Sequence, residues 1–121
     1  MNEKIRSFAD LVAWQEAHRL VIIIYRITSD FPKEEIFGLV SQMRRAAISV
    51  SSNIAEGFGR ETNKDKCHFY VMARTSVVEI QNQLLVARDV GRLNQKNFDL
   101  AASQTIKVHK LINGLIKKVK Y

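Results

Sequence analysis

The sequence predicts an all-α protein: an antiparallel up-down-up-down four-helix bundle forming one domain over residues 1–121. Three observations point there. Proline occurs once and glycine five times in 121 residues, too few breakers for a many-stranded sandwich or barrel. Four stretches carry apolar residues at three- and four-residue steps, with turn signals between them. The length is that of a single domain and suffices for one core. Hydrophobic residues at 46% and charged residues at 26% are ordinary for a globular chain and exclude disorder. One cysteine, Cys67, excludes both a disulfide framework and a Cys-rich zinc module.

The first helix is expected from about Asp10 to Thr28, where Leu11, Trp14, Ala17, Val21, Ile24 and Thr28 follow the bundle spacing. A second stripe of Leu20, Ile23 and Ile27 lies beside it, wider than one internal face needs. Phe31-Pro32 ends the element, because the residue before proline disfavours the α region. The second helix is expected from about Glu34 to Phe58, with Leu39, Met43, Ala46 or Ala47, Val50 and Ile54 inward. Glu34 and Glu35 suit the positive end of its dipole, and Gly57 and Gly59 end it. The third opens at Thr62, with Asp65 three residues on as in a capping box, and closes at Gly91. Phe69, Met72 or Ala73, Ser76, Ile80, Leu84 and Ala87 form its inner face. The fourth opens near Asn94, a favoured N-cap. Phe98, Ala101, Thr105, Val108, Ile112, Leu115 and Val119 then repeat as a strict heptad seam.

The formal charge of +7 is unevenly spread: residues 93–121 carry six lysines against the single acidic Asp99, net +5. A basic balance of this kind suits a polyanion such as RNA or DNA, although it also serves solubility. Met1 to Asp10 has no apolar core, so no signal peptide is expected. The longest apolar run, Leu20 to Tyr25, is far too short to span a membrane. The expected compartment is the cytoplasm.

No motif for catalysis, metal or cofactor emerges. His18, His68 and His109 stand singly, and no Glu precedes a His by three residues, as a di-iron bundle requires. Gly57-Phe58-Gly59 lacks the Gly-Lys-Ser/Thr of a phosphate loop and serves better as a chain reversal. Ser49, Asn53, Glu56 and Arg60 are spaced four, three and four, so they share a helix face. A structural polar network is the favoured reading of these four, ahead of a ligand or catalytic patch. The basic candidates for nucleic-acid contact are Arg44, Arg45, Lys107, Lys110, Lys117 and Lys118.

A longer signature adds to this. Phe8-Ala9-Asp10-Leu11, Trp14-Gln15, Ala17, Phe31-Pro32, Gly38-Leu39, Gln42, Arg44-Arg45-Ala46-Ala47, Ser49 and Asn53-Ile54-Ala55-Glu56-Gly57 together resemble a bacterial four-helix-bundle family. Phe69, Ala73, Ser76, Glu79 and Leu84 fit the same pattern. The family is named for proteins encoded in 23S rRNA intervening sequences, and is distantly similar to the accessory variability proteins of diversity-generating retroelements. Thr75 stands where a Gly is common, and Val50 where an Ile is. The resemblance implies a homopentameric ring with no established enzymatic activity. It also suits the surplus apolar stripe of the first helix and the small residues of the second, since surfaces of that kind mark interfaces. The expectation is therefore a non-enzymatic homo-oligomer, a pentamer, that binds nucleic acid through basic surface. The alternative is an oligomeric scaffold for a protein partner, its basicity serving solubility only.

Overall fold

The computed structural model describes residues 4–121; Met1 to Glu3, part of the segment read above for a signal peptide, lie outside it. Four long helices account for most of the chain: α1 Val12–Thr28, α2 Ser41–Phe58, α3 Asn63–Asp89 and α4 Gln95–Val119. No strand occurs among the described residues, and no described helix is long and apolar enough to cross a membrane.

Local chemistry accounts for most of the ends. Ser7 and Asp10 form a capping box around a short 3-10 turn, Phe8–Asp10, so α1 itself begins two residues later than its periodicity suggests. Thr62 accepts a hydrogen bond from the Asp65 amide at 3.1 Å, and Asn94 accepts one from the Asn97 amide at 2.8 Å. Gly91 takes φ +82°, and the amides of Arg92 and Gly91 donate to the carbonyls of Ala87 and Arg88. Those two bonds are a Schellman cap, which needs a residue at ease in the left-handed region.

The second helix departs from expectation at its start. Residues Lys33–Glu35 form a 3-10 turn and Ile36–Val40 a wider π-type turn, kinked at Gly38 (φ −116°, ψ −107°). Regular α-helix begins only at Ser41. The inner faces follow the predicted periods, with some substitutions. Leu20, Ile24 and Ile27 are buried on α1, while Leu11, Trp14 and Val21 are only partly covered. Both Ala46 and Ala47 are buried, and Ala73 rather than Met72 faces inward on α3. Tyr70 and Val77 join the core there, whereas Phe69 is half-buried. On α4, Ala101, Thr105, Val108 and Ile112 are fully enclosed and Phe98, Leu115 and Val119 partly so.

The helices pack in a cycle: α1 on α2, α2 on α3, α3 on α4, and α4 back on α1. Buried hydroxyls are satisfied at these contacts. Thr105 donates to the Ala102 carbonyl at 2.6 Å and accepts from Gln81 at 3.2 Å. Among the described residues, Gln83 Oε1 is the single buried side-chain polar atom without a partner.

Candidate nucleic-acid interface

The fourth helix presents its lysines on one side. With about 100° per residue, Lys107, Lys110, Lys117 and Lys118 fall within an arc of roughly 100°, and all four are exposed. From Lys107 to Lys118 the helix advances roughly 16 Å, about five phosphate steps along one strand of a duplex. The apolar seam anchors the opposite side of the same helix, so burying Ile112 and Val108 is what turns the lysines outward. Lys110 and Lys118 border a cleft floored by Leu11, Leu111 and Leu115, with Gly114 between them.

One carboxylate modulates this face. Glu16 of α1 is buried, and its Oε1 accepts from Gln104 Nε2 at 2.9 Å. The same Gln104 amide reaches the Glu16 carbonyl at 2.9 Å. Lys107 Nζ lies 3.5 Å from Glu16 Oε1 and Arg19 Nε 3.9 Å. The Gln104 hydrogen bond, helped by those two cations, holds the Glu16 carboxyl below its ordinary range against the opposing effect of burial. Glu16 thus ties α1 to α4 and neutralises part of the Lys107 charge. Its place four residues before Leu20, in line with the second stripe, was the one signal in the sequence.

The arginines behave differently. Arg44 donates from Nε to Thr28 Oγ1 at 3.0 Å and from Nη2 to the Tyr25 carbonyl at 3.2 Å, and its guanidinium lies 4.4 Å from the Tyr25 ring centre. It closes the C-terminal end of α1, where unpaired carbonyls attract cations. Arg45 beside it is exposed and has no ion-pair partner among the described residues. Both sit on α2, which stands diagonally across the bundle from α4. One subunit therefore does not gather the six basic candidates into one patch.

The predicted polar face of α2 splits in two. Ser49 Oγ and Ser76 Oγ are 2.9 Å apart across α2 and α3, and Asn53 Nδ2 donates to the Ser49 carbonyl at 2.9 Å and hydroxyl at 3.1 Å. Among the described residues no histidine or carboxylate bonds to either serine, so this arrangement holds helices and offers no base to activate a nucleophile. Glu56 and Arg60 form a separate surface pair at 2.8 Å, with Arg60 4.4 Å over the Phe69 ring. A shallow cleft beside them is lined by Ser52, Ala55 and Gly59. Among the described residues, no three His, Cys, Asp or Glu side chains come together to hold a metal. His18 stacks on Trp14 at 4.8 Å, and His68 meets the edge of Phe69 at 5.3 Å.

Two contacts carry structure that sequence reasoning missed. Lys66 Nζ donates to the Phe58 carbonyl at 2.7 Å and the Gly57 carbonyl at 3.4 Å, capping α2 from the start of α3. Gly57 is buried within the last turn of α2, where a Cβ would lie 2.6 Å from the Tyr70 ring. Glycine is required there by close approach, and the chain reversal falls after it.

Four helices around one core, with a lysine face on the last, define a four-helix-bundle protein with a basic flank. The chain belongs to the family of 23S rRNA-intervening sequence proteins, whose family model matches residues 9–114. A solved structure, a protein of unknown function from the S23 ribosomal protein family of Bacteroides thetaiotaomicron, superposes with a TM-score of 0.81. The two are 17% identical, and the match covers 88% of this chain and 96% of that one. At that identity the likeness is one of fold. No curated protein matches the chain.

Proposed function

We propose that the protein is a non-enzymatic, cytoplasmic homo-oligomer, a pentameric ring of antiparallel up-down-up-down bundles, that binds RNA or DNA through basic surface without reading bases. The observation that carries the reading is the exposed lysine face of α4, where, among the described residues, Lys107 alone of the four has a carboxylate within 4.0 Å. The antiparallel order is supported by side-chain contacts in which residue numbers fall on one helix as they rise on the next. Examples are Ser49 with Ser76 and Gly57 with Tyr70, then Gln81 with Thr105 and Arg74 with Asn113. The ring is what family membership implies. Five copies at +7 would carry +35, a field that draws polyanions from solution.

The test is binding of labelled single-stranded and duplex RNA and DNA across a salt series. Counterion release gives a log–log slope of about −0.9 per duplex phosphate neutralised, and about −0.7 on single strands. Replacing Lys107, Lys110, Lys117 and Lys118 by Ala should flatten the duplex slope by up to about 3.6 per subunit engaged. Absence of binding at low salt refutes the reading and favours a scaffold for a protein partner. The exposed Met72 and Val78 on α3 are what that second reading would use.

A further inference from the structure

We propose that Phe37 is a tooth by which one copy of the chain engages the next, its ring seated in the apolar groove between α3 and α4 of the neighbour. The inference rests on the ring reading above and names the residues that close the ring. Phe37 is 96% exposed, more than any other large apolar side chain among the described residues, and Ile36 beside it is 47% exposed. Left in water, such a side chain gains nothing from the hydrophobic effect that burial against a neighbour would supply. The kinked π-type turn Ile36–Val40 holds it out from the body of the bundle.

The socket is built from Leu84 and Leu85 of α3 and Phe98, Ala102 and Ile106 of α4. Its volume is about 190 Å³, and apolar cavities of about 150 Å³ take up benzene. Gln81 and Thr105, the polar side chains at its edge, already bond to each other at 3.2 Å. What the groove offers an occupant is therefore carbon.

Placement selects a second copy as that occupant. The connection bearing Phe37 joins α1 and α2, which form one side of the helix cycle; α3 and α4 form the opposite side. A tooth on one side and a socket on the other make a head-to-tail contact, which generates rings or filaments. Height bears on which of those two can form. Glu35 and Arg92 bond at 3.0 Å, so the α1–α2 and α3–α4 connections lie at the same end of the bundle. The groove starts about five residues, roughly 7 Å, from that end. Tooth and socket at similar height allow a rotation to close, whereas an offset would climb into an open helix.

The experiment uses the full chain. In a Cys67→Ser background, Phe37→Cys with Ala102→Cys should give, on mild oxidation, an intermolecular disulfide ladder on non-reducing gels. Phe37→Cys alone should give no ladder, since a disulfide needs Cα atoms within about 7 Å. Separately, Phe37→Asp should reduce the mass by light scattering to that of a monomer at tens of micromolar, with the helical circular dichroism unchanged. A Phe37→Asp chain that keeps the parent mass, or a double-cysteine chain that forms no ladder, overturns the tooth and leaves the ring standing. An unsubstituted chain that is itself monomeric at that concentration overturns both.

Discussion

The same chemical change at two glycines should move stability in opposite directions. A Cβ at Gly57 would lie 2.6 and 2.8 Å from Tyr70 ring carbons and 3.2 Å from Phe69 Cβ, against about 3.5–4.0 Å for relaxed carbon contacts. The Tyr70 ring would have to retreat by about 1 Å, and at 3% exposure it has only packed core behind it. Overpacking of this kind costs about 1–3 kcal/mol, offset in part by the helix propensity of Ala over Gly, at most about 1 kcal/mol. Gly57→Ala should therefore destabilise by about 1–2 kcal/mol. A Cβ at Gly114 meets nothing within 4 Å, so Gly114→Ala should stabilise by close to the full propensity gain, about 1 kcal/mol. At about 4 °C per kcal/mol for a chain of this size, the melting points should separate by roughly 8–12 °C. Thermal melts followed by circular dichroism at fixed protomer concentration measure this, and urea melts give the free-energy difference with the slope m unchanged. Tyr70→Leu should relieve part of the Gly57→Ala cost, a coupling that a double-mutant cycle reads directly. Shifts of the same sign at the two glycines would refute the packing argument.

Glu16 predicts a pH dependence. Its folded-state pKa lies below the unfolded value, so its contribution is fully present above about pH 4.5 and is lost as pH falls through the folded value. Unfolding free energy should hold near neutrality and decline below that point; Glu16→Gln should lower the neutral value by about 1 kcal/mol and flatten the acid limb. Asp10, lowered by the amides of Arg6 and then Ser7, contributes in the same window, so the variant removes only the Glu16 share; an unaltered acid limb would contradict the assignment. Glu56→Gln breaks an exposed pair worth about 0.3–0.5 kcal/mol, a loss that should vanish in 1 M salt. Arg60→Ala also loses the Phe69 contact and should cost about 1 kcal/mol, part of which survives high salt, as urea melts at two salt concentrations would show.

Much of this protein is determined within a few residues of chain. The caps at Thr62, Asn94 and Gly91 and the extents of α3 and α4 follow from hydrogen bonds between near neighbours, so the sequence alone carries them. The heptad seam of α4 is equally local, because helical periodicity fixes which residues share a side. Tertiary structure decided the rest. Periodicity aligned Ser49, Asn53, Glu56 and Arg60, but α3 supplies a partner hydroxyl only to Ser49, leaving Glu56 and Arg60 as an exposed pair with Arg60 against the Phe69 ring. Arg44 counted as a free cation until the end of α1 arrived against it with the Tyr25 carbonyl and Thr28 hydroxyl. Glu16 finds Gln104 across 88 residues of chain, and Gly57 is dictated by a tyrosine ring on the next helix. Periodicity tells which way a side chain leaves its own helix; what it meets there depends on the crossing and register of two helices, which no single stretch of sequence contains.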